Sequence, residues 1–122
     1  MASLFDYLID LVRNSWTEPV QSAGNSVATA THSAEAQRHH VVTKVDASYS
    51  SSTASGELTI SYNSVVVARK HVHAAGAIDF GLLGFENATV NTAVAASLTA
   101  GGAGVVGDIT LTGYSTGPRS SD

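Results

Sequence analysis

The sequence predicts an all-β chain, an antiparallel β-sandwich or jelly-roll-like domain preceded by a short N-terminal α-helical arm. Beyond Arg38 the apolar residues recur with a period of two, as on half-buried strands. The apolar runs there are short and are separated by Gly, Asn and Ser turns with no helical stretch between them, which is the signature of antiparallel layers. Helical spacing is confined to the first residues of the chain.

Ser3 to about Ser15 has the pattern of a helix. Ser3 can accept from the free backbone N–H groups of the first turn, and Asp6 three residues later forms a short-armed capping box and favours the positive helix end. Asp6, Asp10 and Arg13 fall on one side, which leaves Leu4, Phe5, Leu8, Ile9, Leu11, Val12 and Trp16 as a broad apolar surface. Glu18-Pro19 is expected to end the helix. Residues 1–20 are therefore assigned to an amphipathic docking arm. Residues 21–37, rich in Ser, Ala, Thr, Gly and Asn, are assigned to a linker or extended arm with room for a short strand near Val27 to Thr31.

The sandwich is expected over residues 38–116. On its first strand Val41, Thr43, Val45, Ala47 and Tyr49 share one face, and Val42, Lys44, Asp46 and Ser48 share the other. A polar loop, Ser50 to Ser55, leads to a strand with Leu58, Ile60 and Tyr62 on one side. Asn63-Ser64 then turns tightly into Val65 to His73, and Ala75-Gly76 breaks that run. A shorter strand covers about Ala77 to Leu82 and is closed by Gly84; a Glu86-Asn87 turn follows. Strands from about Val90 to Leu98 and Val105 to Tyr114 are expected to pair as a hairpin across Gly101, Gly102 and Gly104. Residues 117–122 form a Ser-rich tail.

Composition restricts the function. At 122 residues one domain is the default, and aromatics at 7% imply thin strands around a shallow core of small side chains. Only 13% of residues are charged, so much of the surface is Ser, Thr, Ala or Gly, or is covered by other subunits. The net charge is −4, and Arg13, Arg38, Lys44, Arg69, Lys70 and Arg119 make no basic stripe, so nucleic acid is not an expected partner. With no cysteine there is no disulfide framework, thiolate metal site or cysteine nucleophile. Asp6 and Asp10 interrupt the N-terminal apolar cluster and no basic residue precedes it, unlike a secretory signal, and no apolar run approaches a membrane span.

Candidate chemistry is sparse. His71 and His73, two apart on a strand, project from one face; two imidazoles do not make a metal site, and a polar contact between subunits is the expected role. His39-His40 is read as polarity at the entry of a strand. The glycines at 101, 102 and 104 lack the strand-to-helix setting of a phosphate loop, and Asn87-Ala88-Thr89 is a chance glycosylation sequon. Asp79 lies between Ile78 and Phe80 and is expected to face solvent. There is no nucleophile elbow, helical His-Glu-x-x-His or apolar carboxylate pair. No catalysis, cofactor or resident metal is expected.

The segments HHVVTKVDASYS, GELTISYNSVVVARKHVH and NTAVAASLTAGGAGVVGDITLTGYS resemble the small β-sandwich virion proteins of tailed bacteriophages over Arg38 to Ser115. The resemblance implies a non-enzymatic capsid decoration, or cement, protein. Such a protein is made in the host cytoplasm and carried on the capsid surface. It would form a homo-oligomer, a trimer, and bind the major capsid protein. On that reading Leu4, Leu8, Leu11 and Trp16 anchor the arm, and His71 and His73 lie near an intersubunit contact. The rival readings are a receptor- or carbohydrate-binding head of a fibre or spike, which calls for exposed aromatics, and an enzyme, which calls for a pocket lined by perturbed acids or histidines.

Overall fold

The computed structural model of the protein describes residues 3–87 and 89–117. The centre of the glycosylation sequon, Ala88, and the tail beyond Gly117 with Arg119 lie outside the described residues. One helix, α1 (Leu4–Arg13), is followed by β1 (Ser15–Gln21), β2 (Ala28–His32), β3 (His39–Tyr49), β4 (Ser55–Tyr62), β5 (Val65–His73), β6 (Ala75–Asp79), β7 (Phe85–Glu86), β8 (Val94–Leu98) and β9 (Gly107–Thr116). All strand pairs are antiparallel. The order is β1-β9-β3-β6 in one layer and β5-β4-β8-β2 in the other, and the single pair His73↔Ala75 joins them at a corner. The expected antiparallel sandwich with a helical N-terminus is what forms.

The core between the layers is built from small and branched side chains. Ala28 and Ala30 of β2, Val45 and Ala47 of β3, Leu58 and Ile60 of β4, Val94, Ala96 and Leu98 of β8, and Ile109 and Leu111 of β9 form one buried cluster. The expected faces hold for β4, whose Leu58, Ile60 and Tyr62 all point inward. On β3 the alternation breaks at a bulge: Val42 pairs with Gly113 but Lys44 pairs with Thr112, so Thr43 is an extra residue. Val42 consequently joins Val45, Ala47 and Tyr49 on the inner face, and Val41 turns to the outer face, the reverse of simple alternation.

Several expected boundaries are corrected. The helix ends at Arg13 with Asn14 as its C-cap, and Glu18-Pro19 lies inside β1. Pro19 is tolerated there because β1 is an edge strand that needs no donor on its open side. The segment assigned to a linker contains β2, a core strand close to the short one expected. No tether exists, because a single residue, Asn14, separates α1 from β1. Ala74 at φ 62 makes the break after β5, and Ala75-Gly76 already belongs to β6. Phe85–Glu86 pairs with β3 where a turn was expected to begin. The glycine-rich segment after β8 is not a hairpin: β8 pairs with β2 and β4, whereas β9 pairs with β1 and β3, so the chain crosses there from one layer to the other.

The β4–β5 turn does match its sequence. Asn63 (φ 49) and Ser64 (φ 67) are both left-handed, as a two-residue hairpin loop that follows the strand twist requires. Serine is strained at such a φ and glycine is not. Ser64→Gly should therefore raise stability by about 0.5–1 kcal/mol, read as a higher urea midpoint with an unchanged slope.

Candidate functional site

At one end of the sandwich the inward strand positions turn polar. In β1 the inward residues are Trp16, Glu18 and Val20, opposite Gly113, Leu111 and Ile109 of β9. In β2 they are Ala28, Ala30 and His32, and His40 of β3 faces Ser115 of β9. Glu18, His32, His40 and Ser115 thus meet where apolar residues would have closed the core. Glu35 joins them from the β2–β3 connection. Its position is set by a turn in which Arg38 N–H donates to Glu35 O and Gln37 is left-handed at φ 59. Gln37 N–H donates to Asn91 Oδ1 at 2.7 Å, which ties the turn to the loop before β8.

The cluster is densely connected. His32 Nδ1 lies 2.7 Å from Glu18 Oε2 and its Nε2 lies 2.9 Å from Glu35 Oε2. Buried His40 has Nε2 2.7 Å from Ser33 O and Nδ1 2.9 Å from Ser115 Oγ. Ser115 Oγ donates to Glu35 Oε2 at 2.6 Å and accepts from Trp16 Nε1 at 3.1 Å. The Trp16 indole stacks on His32 with centroids 4.0 Å apart and planes within 8°. An open cleft of about 380 Å³ adjoins the cluster, lined among others by Trp16, Glu18, His32, Glu35 and Arg38. Burial pushes the Glu35 carboxyl up, but the hydrogen bonds from Ser115 and His32 and the nearby imidazoles outweigh it and hold the group below its ordinary range. Burial holds His40 below the ordinary imidazole value, so its neutral form is favoured.

The other face of the same strands carries α1. Val41 and Tyr114 are fully buried yet lie outside the main core cluster, and Tyr114 Oη donates to Leu83 O at 2.8 Å. The helix packs against β9 and β1 and is fixed by Tyr7 Oη donating to Glu86 at 3.3 Å. Its capping box forms as the sequence predicts, with Ser3 Oγ accepting from Asp6 N–H and Asp6 Oδ2 from Ser3 N–H. No helix residue is buried. Tyr7, Ile9 and Leu11 are half-covered, whereas Leu4 (59% exposed), Phe5 (62%), Leu8 and Val12 (80%) point outward. Phe5, Leu8, Ile9 and Val12 line an apolar hollow of about 320 Å³.

The residues singled out from sequence divide accordingly. Leu4, Phe5, Leu8 and Val12 present an open apolar face, and Ile9 and Leu11 are partly covered by the domain itself. Trp16 is no helix anchor: it belongs to β1, and its ring is occupied by His32 and Ser115. His71 and His73 are exposed on β5, opposite Glu57 and Ser55, and therefore share the outward face. Asp79 is exposed and accepts from Gly81 N–H. His39 and His40 open β3, where the sequence predicts polar strand-entry residues, and both are buried. Among the described residues the three groups able to share a metal ion are His32, Glu35 and His40, not the His71–His73 pair. No described helix is long and apolar enough to cross a membrane.

No family model matches the chain, and no curated protein matches it. Among solved structures it is similar to the insecticidal delta-endotoxin Cry8Ea1 from Bacillus thuringiensis, with 9% identity and a TM-score of 0.47 over 81% of this chain. It is also similar to an arabinose-bound α-L-arabinofuranosidase, with 13% identity and a TM-score of 0.45 over 87% of this chain. A ruminal endo-beta-1,4-mannanase gives 17% identity and a TM-score of 0.38 over 80%. The chain covers only 20%, 20% and 19% of those three proteins, and no function is carried from them to it.

Packing around Trp16 is testable through Gly113. A Cβ at that position would meet Val41 O and the Trp16 ring, so glycine is required by close approach. Gly113→Ala should cost about 1–3 kcal/mol through overpacking. Urea unfolding followed by Trp16 fluorescence, the chain having one tryptophan, should show both a lower midpoint and an altered native emission.

Proposed function

We propose that this chain is a non-enzymatic assembly protein, a capsid decoration protein that forms a homo-oligomer and binds the shell of a tailed-phage virion. The observation that carries the assembly part is the outward apolar face of α1. Its Phe5, Leu8 and Val12 follow the spacing of three and four that lets helices pack on one another, and none of them is used by the domain's own core. Burying one such side chain contributes about 1.5–3 kcal/mol, and three of them on one short helix suit a contact between copies. Closed symmetry, here three-fold, lets each face be covered without open-ended growth.

Two further features support the same reading. Val65, Val66 and Val67 are exposed at the start of β5, the strand that carries His71 and His73 at its other end, a second surface for a neighbouring subunit with a polar, histidine-bearing part. The low charge of the chain suits a surface that meets protein as well as water. Attachment to the major capsid protein rests on the sequence resemblance over Arg38 to Ser115.

The test is size-exclusion chromatography with light scattering on the full chain and on the double variant Phe5→Asp/Val12→Asp. The native sequence is expected to run as a trimer and the variant as a monomer. Because both positions are exposed in the single chain, the variant should keep the native circular dichroism spectrum, so that loss of the trimer is not loss of the fold. A monomeric native chain, as soluble as the variant, would remove the basis for the proposal.

A further inference from the structure

The polar cluster gathers acceptors around few hydrogens. His40 Nε2 faces Ser33 O, a group that can only accept, so that nitrogen carries the hydrogen and the neutral ring presents a lone pair at Nδ1. His32 stands between two acceptors, Glu18 Oε2 at Nδ1 and Glu35 Oε2 at Nε2, so the ring either donates from both nitrogens or gives Nε2 to a cation in place of that proton. Glu35 Oε2 lies 2.9 Å from His32 Nε2 and 3.8 Å from His40 Nδ1. The one hydrogen available from Ser115 Oγ must serve both Glu35, at 2.6 Å, and His40 Nδ1, at 2.9 Å. His40 has no exposed side-chain surface, so water does not freely supply what is missing.

We propose that His32 Nε2, Glu35 Oε2 and His40 Nδ1 bind one divalent transition-metal ion of the zinc type. Two imidazoles and a carboxylate are the donor set zinc accepts with three protein ligands and one open position. One donor atom from each of the three residues lies within 4.8 Å of the other two. Zinc at its usual bond lengths asks for donors about 3.3 Å apart, so small side-chain adjustments close the site. The distal nitrogens are held as metal-binding histidines generally are: Glu18 orients His32, and the Ser33 carbonyl orients His40. Trp16, stacked on His32 and donating to Ser115, fixes the ring plane and the hydroxyl from the core side. Ser115 Oγ, 2.6 Å from Glu35 Oε2 and 2.9 Å from His40 Nδ1, is at hand for a fourth position, and the cleft lined by Glu18, His32, Glu35 and Arg38 adjoins the ligands, where water or an anionic donor has access. The ion would tie β2, the β2–β3 connection and β3 together, three segments that make no other shared polar centre of this kind among the described residues.

The site is independent of α1, so it stands or falls separately from the assembly proposal. The full chain, stripped with a chelator and dialysed, is titrated with zinc chloride against a chromophoric competitor, and bound metal is counted by atomic emission. One zinc per chain and a rise in melting temperature are expected. Glu35→Gln should weaken binding at least about tenfold, and Glu18→Gln, which touches His32 but not the ion, by about tenfold as well. His71→Ala/His73→Ala should leave both stoichiometry and affinity unchanged. Cobalt in place of zinc should give visible absorption bands that Glu35→Gln abolishes. If circular dichroism shows Glu35→Gln to be unfolded, His32→Gln at its partly exposed position takes its place. Absence of stoichiometric zinc, binding that survives in the folded Glu35 or His32 variant, or binding lost with His71 and His73 overturns the proposal.

Discussion

The β3–β9 ladder is the interaction on which the rest of the molecule depends. It runs from His39↔Thr116 to Tyr49↔Gly107, the longest pairing in the fold, and β1 adds to the far side of β9 while β6 and β7 add to β3. A long antiparallel ladder satisfies many backbone groups at once and fixes which side chains face each layer. The bulge at Thr43 divides that ladder into two phases. Below it Val45, Ala47 and Tyr49 fill the core; above it His40 and Val42 take the inner face, and His39 and Val41 take the outer one.

This change of phase is why both faces of the ladder's upper end are buried. Inside, His40 and Ser115 sit beneath Trp16 and meet His32 and Glu35. Outside, Val41 and Tyr114 need cover, and α1, Leu83 and β7 provide it. Tyr62 links the two regions, its hydroxyl 3.0 Å from both His40 O and Phe85 O, and burial raises its pKa so that the phenol stays protonated as a donor. A helix recruited to cover one apolar stripe can turn only part of its circumference inward. The remaining apolar side of α1 therefore stays outward, and the fold itself gives no reason for Leu4, Phe5, Leu8 and Val12 to be apolar.

Polar residues at inward positions explain most of the difference between sequence expectation and structure. In β1 the inward residues Trp16, Glu18 and Val20 alternate with Ser15, Thr17 and Pro19, but Glu18 spoils the period-two signal and Pro19 imitates a helix stop. In β2 the inward set Ala28, Ala30 and His32 is too small and too polar to stand out from a linker. The residues that hide the strands are those that build the cluster, as expected where a functional or strained site breaks local consistency. A signal was present: Glu18, His32, Glu35, His39 and His40 concentrate titratable side chains in a segment otherwise poor in charge.

By itself the sequence determined what short-range spacing encodes. The period of two on β4, the left-handed Asn63-Ser64 turn, the Ser3–Asp6 capping box and the apolar stripe of α1 all follow from steric and hydrogen-bonding preferences within a few residues. Tertiary structure alone decided which edges pair. It sent β9 to β1 and β3 rather than back to β8, placed an extra residue at Thr43, and brought His32, Glu35 and His40 to one point. Those outcomes depend on closing two layers over a shared core, where an unpaired strand edge or an uncovered apolar face anywhere raises the free energy of the whole. No window of local sequence contains that constraint.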